Sequence, residues 1–272
     1  MKFIKKLRHK LIRILDTKPK LENTFGSYEE AVKNGGSYNN KKLVKVITEK
    51  SKNYRDELRI SNHLDLSIWR TSFMLSQLSN KKNINILDFG GGAGTAYFLA
   101  RKLLGSDIRI KWNVVETSLM VKEAKNAKLE DDELKFFNTI DAAVQDLKSI
   151  DLIYANGALT YTDKPLNYLD QLLSLDFDLF FITRTPLNEK SRKNIVGIQL
   201  STLSRNGQGP IPKELNIEDE IIKYPYTAIS KELFEEKIGE FAKVKFLIRE
   251  DKNAYQTREQ NFDMFGYLVE KV

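Results

Sequence analysis

The chain has 272 residues, 41% of them hydrophobic and 30% charged, with 14 glycines and 6 prolines, a globular mixture long enough for one large α/β domain or two small ones. It contains no cysteine, which excludes disulfides, thiolate-ligated metals and cysteine nucleophiles, and its only histidines are His9 and His63. The net charge of +7 belongs to residues 1–20, which hold eight of the 44 basic side chains and one of the 37 acidic ones; the rest of the chain is charge-balanced and offers no extended surface for nucleic acid.

In residues 1–20, Phe3, Ile4, Leu7, Leu11, Ile14 and Leu15 recur at helical spacing with the bases mostly on the other side, which predicts a basic amphipathic helix. Such a helix suits peripheral contact with an anionic membrane, where each basic residue gains about 1 kcal/mol. It equally suits docking on its own domain or on a second copy in a homodimer. No apolar run reaches the length of a signal-peptide core or a membrane span, so a cytoplasmic protein is expected. Residues 21–80 read as a helical lid or cap region. A turn-rich piece over 23–40 brackets a short helix and carries Tyr38 as a lid residue, and 41–79 has the periodicity of two or three helices.

From residue 84 short apolar runs alternate with helical segments, the pattern of βαβ units and a parallel sheet. Strands are predicted over 84–89, 109–116, 134–138, 151–155 and 177–184, with helices near 95–104, 118–128, 140–147 and 164–174. Residues 188–229 are poorly periodic. Ser230 can then cap a helix to about residue 238, and strand-like runs near 241–249 and 262–270 would form a late antiparallel pair completing a seven-stranded sheet. The expected architecture is an α/β Rossmann-like domain over 81–272.

Ile84 to Gly94 is a buried strand running into a glycine-rich turn and a helix, where a nucleotide can approach the backbone. A dinucleotide site needs glycine or alanine at the sixth place of its fingerprint, but counting from Gly90 that place is Thr95, and from Gly92 it is Tyr97. Asp88, Gly90, Gly92 and Gly94 instead satisfy D-x-G-x-G-x-G, which resembles motif I of the class I S-adenosylmethionine methyltransferases. Trp112 to Glu116 ends the next strand in a carboxylate 28 residues beyond Asp88, where an acceptor pair can bind both hydroxyls of a ribose. The bland role for Glu116 is helix capping.

Longer segments resemble a bacterial family of methyltransferases whose members recur in surface-polysaccharide biosynthesis clusters. They are Ile86 to Phe98, Trp112 to Glu116, Gly157 to Leu169 and Ile182 to Leu187, together with Phe25 to Tyr38 and Lys223 to Ser230. The resemblance implies a class I fold, S-adenosylmethionine as donor, S-adenosylhomocysteine as product, and an O-methyl acceptor on a glycan or its precursor, a small molecule and not a nucleic acid. It implies cofactor contacts at Asp88, Phe89, Gly90, Gly91, Gly92, Gly94, Glu116 and Thr117. By analogy of topology it adds Phe136 or Phe137 and Asn138 near the adenine, and Asn156 and Gly157 near the methionine. Core packing is the alternative for the phenylalanines, and turn geometry for Asn156.

Methyl transfer is an in-line displacement served mainly by positioning, with a base adding about 10² to 10⁴ in rate. Candidates for the base are His63, which Asp65 can orient, Tyr161 and Asp163. Arg184, at the end of the fifth predicted strand, can hold an acceptor phosphate or carboxylate, or pair with a carboxylate of the domain. Tyr161 can line the acceptor pocket or pack on the following helix. No metal site is expected. Absence of cysteine excludes cytosine C5 methylation, and the Asn-Pro-Pro-Tyr type element of amino-methylating DNA enzymes is missing. Aminopropyl transfer lacks its acidic pocket, and a non-catalytic binding protein on the same fold is the alternative function.

Overall fold

Leu21–Phe25 (β1), Tyr28–Gly35 (α1), Lys41–Ile60 (α2) and Ile68–Ser76 (α3) lead into the βα alternation in this computed structural model, which describes residues 21–61, 64, 68–257 and 260–272. The helix expected over 1–20 and His63 with Asp65 lie outside the described residues. The alternation runs Asn83–Phe89 (β2), Thr95–Leu103 (α4), Arg109–Val115 (β3), Ser118–Asn126 (α5), Leu134–Phe137 (β4), Ile140–Leu147 (α6), Leu152–Asn156 (β5), Pro165–Leu173 (α7) and Leu179–Asn188 (β6). Ile195–Thr202 (β7) and Ile221–Ser230 (β8) follow, then Lys231–Phe241 (α8), Ala242–Gln256 (β9) and Asn261–Lys271 (β10). No described helix is long and apolar enough to cross a membrane.

Period-two alternation sorts the strand side chains into two cores. Ile84, Ile86, Leu152, Tyr154, Leu179 and Phe181 face α2–α5, whereas Leu87, Phe89, Ile153, Ala155, Phe180 and Ile182 face α6–α8. Helix starts are set by side chains that accept from free N–H groups: Ser27, Asn40, Thr117, Thr139 and Ser230 each cap the following helix.

The strands are ordered β4-β3-β2-β5-β6-β10-β9, parallel except for β10, which runs antiparallel to both its neighbours. This is the expected seven-stranded layer, but the whole sheet has ten strands. The other three come from β1 and from 188–229, where the sequence pattern gives no strand. β7 carries Gly197, β8 carries Pro225 opposite Ile198, and β8 from Tyr224 onward is buried on both faces, so no alternation is visible. In place of a turn at 23–27, the chain makes β1, bulged at Asn23, against β7. β6 extends to Asn188; β5 occupies one of its edges as far as Thr183, and beyond that β8 takes the same edge at Leu187 and Asn188. The β1-β7-β8 unit therefore forms a roof over the carboxyl ends of the parallel strands.

A buried lysine secures this roof. Lys50 of α2 is 1% exposed and donates to the carbonyls of Ser204 (2.8 Å) and Asn206 (2.7 Å), and burial lowers its pKa to about 8.

Gly94 tests the turn that starts the parallel layer. Its φ is +79°, and an added Cβ would lie 2.9 Å from Leu134 Cδ2. Gly94→Ala should destabilise the fold by roughly 2 to 4 kcal/mol through left-handed strain and overpacking, read by urea denaturation.

Candidate functional site

The turn after β2 lies directly on a buried carboxylate. Asp88 is 0% exposed, and a Cβ on Gly91 would come within 2.2 Å of its Oδ2, so only glycine lets the backbone pass at this height. Trp112 Nε1, from the neighbouring strand β3, donates to Asp88 Oδ2 at 2.9 Å, while Oδ1 is buried and has no hydrogen-bond partner. Burial pushes the carboxyl pKa up to about 7, with Trp112 opposing the shift and Glu116 adding to it. Gly90, at φ +70°, would collide with Ala158 if it carried a Cβ, at 2.3 Å. Gly92, at φ +59°, faces open space toward Ile47, so its missing side chain leaves room in the cleft.

Glu116 stands at the carboxyl end of β3 and clasps the turn. Its Oε1 accepts from Gly92 N (3.1 Å) and its Oε2 from Thr117 N (2.8 Å), which leaves lone pairs on both oxygens. Burial raises its pKa and the two backbone N–H groups lower it. Thr117 itself caps α5. Across the turn, at the end of β5, Asn156 Oδ1 is a second buried acceptor without a partner, and Gly157 takes φ +70°. These residues line one cleft of 990 Å³ that continues under the roof.

The roof half is aromatic. Tyr38, between α1 and α2, stacks on Tyr161 at 5.3 Å and meets Tyr224 of β8 edge-on at 5.0 Å. Tyr161 donates to Gln199 Oε1 (2.9 Å), its carbonyl accepts from Tyr28 (2.6 Å), and burial holds its pKa far above the usual phenol value. Tyr224 is pushed up to about 12 for the same reason. Arg184 projects among these rings, and Tyr255 completes the wall.

Arg184 takes the left-handed conformation, φ +55°, a costly one for a side chain of this size. Glu250 of β9 holds it there. The side chain of Glu250 is 0% exposed; its Oε1 accepts from Arg184 N (2.7 Å) and Thr183 Oγ1 (2.5 Å), and its Oε2 accepts from Arg70 Nε (2.8 Å) and from a terminal guanidinium nitrogen (2.5 Å). The carboxylate is thereby saturated. Arg184 is solvent-accessible within the cleft; partial desolvation works against its charge, but Tyr255, Tyr161, Tyr154 and Glu250 keep its pKa above the ordinary arginine value.

Asp88, Phe89, Gly90, Gly91, Gly92, Glu116, Thr117, Asn138, Asn156, Gly157, Tyr161 and Arg184 all line this cleft. Four described candidates fall elsewhere. Phe137 packs against the core beneath α6 and α7, Phe136 is buried in the opposite core, and Gly94 sits against Leu134 as the α4 cap. Asp163 is exposed and outside the cleft lining. The sequence reading missed Arg70, Gln199, Tyr224, Tyr255 and Glu250, which come from segments distant in the chain; only Tyr224 lay in a motif, Lys223 to Ser230.

The mostly parallel sheet with helices packed on both faces is a Rossmann-like α/β fold. No family model matches the chain, and no curated protein matches it. Among solved structures, an S-adenosylmethionine-dependent methyltransferase from Clostridium acetobutylicum is similar at 15% identity and TM-score 0.47, covering 82% of this chain and 98% of its own. One from Aquifex aeolicus gives 16% and 0.44, with 83% and 98% covered. Geranyl diphosphate C-methyltransferase from Streptomyces coelicolor gives 11% and 0.47, with 76% and 80% covered.

Two outcomes follow from the strained and buried groups. Because Asp88 binds its proton more tightly folded than unfolded, the ligand-free protein should lose stability as pH rises from about 4 to about 7, by at most about 1.4 kcal/mol per pH unit. Asp88→Asn should flatten that slope in urea denaturation at pH 5 to 8. Arg184→Gly should be more stable than Arg184→Ala by about 1 kcal/mol, the reverse of the order in ordinary strands, because only glycine relieves the left-handed φ.

Proposed function

We propose that this protein is an S-adenosylmethionine-dependent methyltransferase that O-methylates a hydroxyl on a sugar or a phosphate-linked glycan precursor. The observation that carries the reading is the join of two unlike halves in one 990 Å³ cleft: Glu116 clasping a glycine turn on one side, and a tyrosine-walled chamber on the other.

The cofactor half fits the donor chemically. Glu116 keeps lone pairs for the two hydroxyls of a ribose, and the space left by the Gly92 side chain admits a nucleoside. Two of the four buried side-chain atoms without partners among the described residues, Asp88 Oδ1 and Asn156 Oδ1, belong to this half and are acceptors, which suits the ammonium group of an amino-acid moiety. When bound, S-adenosylmethionine supplies a methyl group carried on a cationic sulfonium.

What the chain itself contributes is position and dryness. Tyr38, Tyr161 and Tyr224 shield the acceptor side from water, and Gln199 accepts from Tyr161 while keeping its amide donors for a hydroxylated ligand. Tyr161, with its pKa far above neutrality, orients through its ring and hydrogen bond and does not take a proton. The polysaccharide setting rests on the sequence resemblance.

Calorimetric titration with S-adenosylmethionine and, separately, with NAD tests the donor: micromolar affinity for the former alone is expected. Glu116→Ala should weaken that binding by about 1 to 3 kcal/mol. Equal affinity in a folded Glu116→Ala protein would remove Glu116 from the site.

A further inference from the structure

The chamber under the roof holds a guanidinium with no ion-pair partner among the described residues. Three arginines line the cleft: Arg70, Arg184 and Arg205. Arg70 spends its guanidinium on Glu250, and Arg205 is engaged with a partner. The Arg184 guanidinium donates no hydrogen bond and forms no ion pair among the described residues, although its own backbone N–H is bonded to Glu250.

This arrangement is built, not incidental. Glu250 is a carboxylate whose charge favours the Arg184 cation, yet its oxygens are taken by Arg70, Thr183 and the Arg184 backbone, so it fixes where Arg184 starts and forms no ion pair with the guanidinium. The left-handed φ of +55° is a strain that this clamp sustains. It turns the side chain out of β6 beside Gly157, at the junction of the two halves of the cleft; a Cβ on Gly157 would lie 3.6 Å from Arg184 Cβ. Arg184 is exposed to the cleft, with Tyr38, Tyr161, Tyr224 and Tyr255 among the residues that line the same space, so its guanidinium is open to a ligand. A planar fork of donors held in such a chamber matches the paired oxygens of a phosphate or a carboxylate.

We infer that the methyl acceptor carries an anionic group, a phosphate or a carboxylate, and that Arg184 is the residue that recognises it. The same charge disfavours cationic amine acceptors, so it selects against N-methylation of free amines. The inference rests on the methyl-transfer reading of the cleft, but the anion site and the cofactor site can be measured separately.

The test is a calorimetric series on the full chain with three ligands that share one ring, glucose 1-phosphate, glucuronate and glucose, alongside S-adenosylhomocysteine. In the wild-type protein one of the two anions should bind at least about tenfold tighter than glucose, a factor worth about 1.4 kcal/mol, and the preferred anion tells phosphate from carboxylate. Arg184→Met should reduce that anion to the level of glucose, while Arg184→Lys keeps part of the preference. S-adenosylhomocysteine affinity should stay within about twofold in both. Arg184→Gly, which relieves the backbone strain, provides a second folded variant should Arg184→Met unfold. Equal binding of glucose and both anions, binding of neither anion at millimolar concentration, or an anion preference that survives loss of Arg184 overturns the inference. Arg184-dependent anion binding without any binding of S-adenosylhomocysteine overturns the methyl-transfer reading and leaves the anion site standing.

Discussion

The hydrogen bond from Trp112 to Asp88 fixes a carboxylate at the one height where a glycine turn can lie on it, and the cleft is built outward from there. It ties the end of β2 to β3 across the sheet. With Asp88 held, Gly91 must be glycine, the backbone turns over it, and Gly92 presents its N–H to Glu116. Each of these contacts constrains the next. The cost is a buried carboxylate with one unsatisfied oxygen, a penalty on the ligand-free state that a ligand donor can remove.

A second carboxylate, Glu250, organises the other half, and it does so by a different route. Asp88 keeps an oxygen open, whereas Glu250 uses both of its oxygens on β6 and α3. One acid is poised toward the cleft and the other is sealed away from it. The neighbouring arginines divide in the same way, with Arg70 consumed in structure and Arg184 turned toward the chamber. That division of labour gives the cleft acceptor atoms near the glycine turn and a donor fork near the roof.

How much of this the sequence revealed follows from how local each feature is. Asp88, the glycines and Glu116 sit on strand ends whose apolar runs are unmistakable, so their placement at one sheet edge could be derived from the βαβ pattern. Phe136 and Phe137 alternate into the two cores on either side of the sheet, so neither ring lines the cleft, and the period-two pattern of a four-residue strand does not show how far its end lies from a ligand. The roof was invisible because β8 is covered on both faces and contains a proline, and β7 contains a glycine, which mask the pattern of a strand. Glu250 lies 66 residues from Arg184 and pairs with it only through the register of β9, β10 and β6. No spacing rule links them.

The shared use of β6 has a mechanical consequence. One edge of that strand belongs to β5 and then to β8, so roof and parallel layer are continuous through a single backbone. The roof cannot swing open as a hinged domain without tearing its own sheet. Between the end of α1 and the α2 cap Asn40, by contrast, residues 37–39 are held by the ring contacts of Tyr38 with Tyr161 and Tyr224 and one local contact from Asn39 to Ser37, with no ladder bonds. Widening of the cleft beside the roof therefore costs least at this short segment, where Tyr38 can leave its stack on Tyr161 without breaking a ladder bond.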